Sequence, residues 1–126
     1  MAWKNHPNPV TLTASTGITQ YRFVTASATG VAYPTAGAAA LGVTVSSGTT
    51  GSTADNRSVS VVMPGGIVKV SAPASTLSKG DAVTASSRGQ AVPSSAGDYV
   101  NGYVVDGTSG GAGRLLSIAL VPVGTT

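Results

Sequence analysis

The 126-residue chain carries seven Lys/Arg against four Asp and no Glu, for a net charge of +3, and only 9% of its residues are charged. It has no cysteine, which rules out a disulfide framework and a thiolate metal site, and no two basic residues are neighbours, so no basic run marks a nucleic-acid surface. Ser, Thr and Gly fill 49 positions, yet 17 Val, 18 Ala and a mean hydropathy of +0.24 set it apart from disordered chains and favour strands over helices.

Residues 1–9, MAWKNHPNP, come before any regular pattern. No apolar h-region follows Met1 and no apolar run approaches 18 residues, so the expectation is folding in a cytoplasm, with no signal peptide and no membrane span. Pro7 and Pro9 hold the segment extended and keep it out of a strand ladder. Trp3, the single tryptophan, offers a large apolar face and an indole donor that water would waste. The head therefore reads as an arm that anchors on a partner through Trp3, Lys4, Asn5, His6 and Pro7.

Strands begin at Val10, and from there to Thr126 the chain reads as one all-β domain with minimal helix. Tyr21 and Phe23 share a strand face by spacing, more in keeping with core or subunit contact than with a stacking platform. Gly30 and Gly89 sit at equivalent places between short β runs, where a positive φ closes a hairpin. Residues 46–56, SSGTTGSTADN, form a polar loop that presents Thr49 and Thr50. Beyond it Val59, Val61 and Met63 alternate with Ser58, Ser60 and Val62. Pro64 and Gly65 then occupy the central positions of a type II turn leading into Ile67–Val70. Near the end Leu116, Ile118 and Leu120 point one way and Leu115, Ala119 and Val121 the other. That strand is expected to be covered on both faces, either by the other repeat or by another subunit.

The most informative feature is a repeat. Residues 24–34 read VTASATGVAYP and residues 83–93 read VTASSRGQAVP, identical at seven of eleven positions at an offset of 59. Leu41-Gly42-Val43-Thr44-Val45 answers Asn101-Gly102-Tyr103-Val104-Val105, and Arg57-Ser58-Val59-Ser60-Val61 answers Arg114-Leu115-Leu116-Ser117-Ile118. Val10–Ala14 pairs loosely with Val68–Ala72. The chain is thus expected to hold two similar units of about 58 residues, 10–64 and 67–122, as a small β-barrel or β-sandwich. Two units are too few for a solenoid, and packing about a pseudo-twofold axis is the expectation.

Reactive chemistry finds no constellation. A Ser-His-Asp arrangement needs a histidine held between nucleophile and carboxylate, and the single histidine, His6, lies in the arm. Asp55, Asp81, Asp98 and Asp106 sit at turns and strand ends, where Asp caps the backbone. One His with scattered acids makes no metal shell. Gly107–Gly113 has the glycines of a phosphate loop, but the segment that follows reads as a strand and not a helix. The expectation is a non-enzymatic protein without catalytic residues, metal or cofactor. A carbohydrate-binding or other adhesive virion module using Tyr21, Tyr33, Tyr99 or Tyr103 is the alternative.

Several phrases carry a family resemblance: Gly66-Ile67-Val68-Lys69-Val70, Lys79-Gly80-Asp81-Ala82-Val83, Arg88-Gly89-Gln90-Ala91-Val92, residues 97–103 (GDYVNGY) and residues 113–122 (GRLLSIALVP). Over roughly residues 18–122 the chain resembles the bacteriophage capsid cement, or decoration, proteins. The resemblance implies a small β fold that assembles, usually as a homotrimer, on the outer face of the mature capsid. There it braces the lattice of major capsid protein after synthesis in the host bacterial cytoplasm, without nucleic acid or membrane as partner. On that reading the arm residues Trp3 to Pro7, with Thr49 and Thr50, are the capsid contacts. The MAWKNHPNP head and the Gly/Thr/Ser insertion at 47–56 depart from the family's phrases.

Overall fold

The computed structural model describes residues 10–14, 17–27, 30–46, 58–73, 77–106, 114–121 and 124–125. Among them there is no helix; all regular structure is strand, as the composition requires. The strands are β1 (Val10–Thr13), β2 (Phe23–Ser27), β3 (Gly30–Ala32), β4 (Gly42–Thr44), β5 (Ser58–Val62), β6 (Ile67–Ala72), β7 (Ala82–Ala85), β8 (Ala91–Pro93), β9 (Tyr99–Val100), β10 (Gly102–Asp106), β11 (Arg114–Ala119) and β12 (Gly124–Thr125).

They make two five-stranded antiparallel sheets, ordered β1-β5-β4-β2-β3 and β6-β11-β10-β7-β8, plus a small β12-β9 pair. Read as first to fifth strand within each half, skipping the short β9, the two orders are the same. The likeness extends to register. Val24 faces Gly42 and Phe23 faces Val43 in the first half; Val83 faces Gly102 and Ala82 faces Tyr103 in the second. Val43 pairs with Val62 and Thr44 with Val61, as Tyr103 pairs with Ala119 and Val104 with Ile118. The fold is therefore built from two similar halves.

Each sheet curls toward a small barrel. Five strands paired antiparallel leave the first and fifth running the same way, so closure must use a parallel contact. A parallel bridge from Ala14, just past β1, to Val31 in β3 supplies it in the first half. In the second, Gln90 Nε2 reaches from the start of β8 to Ser71 Oγ in β6 at 3.2 Å.

Turn chemistry sets the corners. Met63–Gly66 joins the halves with Gly65 at φ 113°, as the type II pattern requires. Ser78–Asp81 and Ser95–Asp98 are two versions of one turn: Gly80 and Gly97 both take φ 90°, and Asp81 and Asp98 accept from the amides of Ser78 and Ser95 at 2.9 and 3.0 Å. These aspartates cap turns, as their sequence setting indicates. The β7–β8 hairpin closes through Ser86-Ser87-Arg88-Gly89, with the Gly89 amide donating to Ser86 O at 2.9 Å and Gly89 at φ 75°.

The halves do not pack about a twofold. A twofold would bring equivalent faces together. Instead, the larger core fills the second sheet with Val68, Val70, Ala72, Leu77, Val83, Ala85, Ala91, Val104, Leu116, Ile118 and Leu120, and adds Phe23, Val43 and Val62 from the outer face of the first. The inner face of the first sheet, with Val24, Val31, Val59 and Val61, closes over a separate smaller core with Ala14 and Ile18. Outer face meets inner barrel, so the two halves are stacked head to tail.

Candidate interaction surface

The seam between the halves is the most specific arrangement in the molecule. Phe23, Val43 and Val62 form a row across three strands, paired Phe23 to Val43 and Val43 to Val62, and all are buried. The Phe23 amide donates to Gly89 O at 2.6 Å, and a Cβ placed on Gly89 would stand 2.5 Å from Phe23 O, so only glycine lets the hairpin tip approach. Arg22 Nη1 adds a bond to Arg88 O at 3.1 Å. Ser71 N donates to Tyr21 O at 2.8 Å, and Tyr21 takes φ 62° to present that carbonyl. A tyrosine in the left-handed region is uncommon and costs of order 1–3 kcal/mol, which its bonds to both halves offset. This backbone reversal also breaks the strand alternation, so Tyr21 and Phe23 do not simply share a strand face.

Asn101 completes the seam. It occupies the place of Leu41, and its backbone behaves likewise: Asn101 N donates to Val83 O as Leu41 N donates to Val24 O. Its side chain is buried and spans the halves, accepting from Ala40 N at 2.9 Å and donating to Ala38 O at 3.1 Å. Replacing Asn101 by Ala leaves both groups unpaired at the seam. The expected loss is about 1–3 kcal/mol in denaturant unfolding, and Asn101→Asp, which keeps the acceptor but loses the donor, should also destabilise.

The outer face of the second half is different in kind. Ala82, Tyr103 and Ala119 form a row equivalent to Phe23, Val43 and Val62, continued by Ile67 opposite Ala119. Among the described residues nothing covers it. Ala82, Tyr103 and Ala119 are half-buried, and Ile67 is 39% exposed. Leu115 and Val121 are exposed as well, so among the described residues of one chain the last long strand is covered on one face. A bulge in β10 between Val104 and Asp106 turns Val105 outward too.

The residues expected to contact a capsid, Trp3, Lys4, Asn5, His6, Pro7, Thr49 and Thr50, all lie outside the described residues. The four tyrosines are not gathered on one surface. Tyr21 sits at the seam, Tyr33 lies near the Gly89 hairpin tip and accepts from Thr19 N at 3.0 Å, Tyr99 pairs with Thr125, and Tyr103 lies on the outer face. Among the described residues no three His, Cys, Asp or Glu side chains come together as a metal shell, and no helix is long and apolar enough to cross a membrane. Sequence reading overlooked the outer row because Ala82 and Ala119 look unremarkable singly; comparing them with Phe23 and Val62 of the other repeat exposes it.

The same fold is found in a phage virion part. The crystal structure of the head fiber gp8.5 N base of bacteriophage phi29 superposes with a TM-score of 0.71, covering 94% of this chain and 97% of that one at 21% identity. The two chains share one architecture over nearly their whole length. No protein-family model matches the sequence and no curated protein does, so the resemblance to cement proteins rests on its phrases alone.

Proposed function

We propose that the chain is a structural virion protein of a bacteriophage that binds the outer surface of the mature capsid and braces the lattice of major capsid protein as a homo-oligomer, most simply a trimer. The observation that carries the reading is the fold shared along nearly the whole chain with the phi29 head fiber base. The cement-protein phrases support the same direction. The physical logic is direct. A protein that binds the assembled lattice and not the free subunits stabilises the lattice by mass action, and each further arm binds at a high effective concentration once the first has docked. Neither task needs a reactive side chain. The arm at 1–9 and the loop at 46–56 are the proposed contacts, with Trp3 as the anchor.

Co-sedimentation tests this. The full chain and a variant lacking residues 2–9 are mixed with undecorated heads of the encoding phage. The full chain is expected in the pellet, and the truncated one in the supernatant with an unchanged circular dichroism spectrum. Equal binding by the truncation would remove the arm from the account; a full chain left in the supernatant would remove the capsid.

A further inference from the structure

We infer that copies of this chain associate head to tail, the outer face of the second half of one copy docking on the exposed end of the first half of the next. The inference rests on the homo-oligomer reading above and names its surface. Inside the chain one such junction already exists: the row Phe23, Val43, Val62 closes over the second half beside Asn101, Leu120 and the Gly89 hairpin. Both sides of that junction recur, uncovered among the described residues, one in each half.

On one side stands the row Ala82, Tyr103, Ala119, at the register of Phe23, Val43, Val62 and continued by Ile67. On the other stand the first-half equivalents of the groups that receive Phe23. Leu120 is 3% and Asn101 5% exposed, and Gly89 is buried, because the row covers them. Their counterparts Met63, Leu41 and Gly30 are each only half-buried, with Met63 and Leu41 packed on the smaller core from outside. Among the described residues, one apolar end and one apolar row of matching ancestry remain free in each copy. A second copy supplies the missing partner to both. Such a contact is heterologous, so it closes into a ring where the rotation permits and otherwise extends.

The geometry makes a sharp prediction for mixtures. Tyr103→Arg blocks the row, and Met63→Arg blocks the end. Each variant alone is expected to run as a monomer in light scattering coupled to gel filtration, where the unaltered chain is an oligomer. Mixed in equal amounts, the two should form a species of twice the chain mass and no larger, since each retains the surface the other lacks. Should Tyr103→Arg fail to fold by circular dichroism, Ala119→Arg takes its place, and Leu41→Arg likewise replaces Met63→Arg. A variant that keeps the full oligomer mass, or a mixture that stays monomeric, would overturn the head-to-tail surface while leaving homo-oligomerisation intact. An unaltered chain that is itself monomeric at 100 μM, on the order of ordinary in-vitro concentrations, would overturn both, and capsid binding is read separately by sedimentation.

Discussion

Gly102→Ala is expected to destabilise the protein by about 3 kcal/mol, at the upper end of the range for overpacked interiors, and Gly42→Ala to do the same. A Cβ on Gly102 would lie 2.3 Å from Ala119 O and 2.9 Å from Ile118 Cγ2; on Gly42 it would lie 2.4 Å from Val62 O and 2.8 Å from Val61 Cγ1. In both cases the nearest atom is a backbone carbonyl of the neighbouring strand, which cannot swing aside as a side chain can. The clash arises from barrel size. Five strands closing on themselves must bend sharply, and a residue without a side chain lets the fourth strand of each half ride close over the fifth. The same clash at two positions 60 residues apart shows that the halves repeat their packing as well as their sequence. Urea unfolding of both variants measures it. A loss under 1 kcal/mol at either site would mean that the strands relax apart, and the close approach would not be a requirement of the fold.

Phe23→Ala is expected to cost about 3–5 kcal/mol, the usual range for removing a fully buried phenylalanine. The chain has one phenylalanine and spends it at the seam. Its ring belongs to the larger core, its amide holds Gly89 O, and its row neighbours Val43 and Val62 are buried with it. The loss should therefore fall on the joint between halves as well as on one barrel. Calorimetry is expected to show a lowered Tm and a broader transition as the halves uncouple. An unchanged, narrow transition would place the cooperativity elsewhere. Phe23→Leu, which keeps most of the apolar volume, should recover much of the loss.

Much of the fold was legible in the residues. The β-branched composition, the two VTAS phrases and the glycines at 30 and 89 point to a duplicated all-β chain with hairpins, and two sheets of identical strand order carry the sheets of that description. The aspartates read as turn formers are turn formers at Asp81 and Asp98. The relation between the halves was not legible. Periodicity says which residues share a face, but burial of that face depends on what packs against it, and the sequence does not carry that. Val43 and Val62 look no more committed to a seam than Tyr103 and Ala119 do to open surface. Tyr21 misled for a related reason: its positive φ is imposed by the carbonyl it turns toward Ser71, a long-range constraint invisible to local pattern. The proposed capsid contacts in the arm and at Thr49 and Thr50 lie outside the described residues, so their support remains the sequence.

The proposed role is seating on the outside of a phage shell. Cryo-electron microscopy of mature, undecorated heads incubated with the purified chain examines it most directly. Additional density is expected on the exterior at one recurring class of lattice position, large enough for several copies of the twin-barrel unit and touching more than one capsid subunit. Bare exteriors at saturating protein, or density confined to the interior or the tail, would contradict the account.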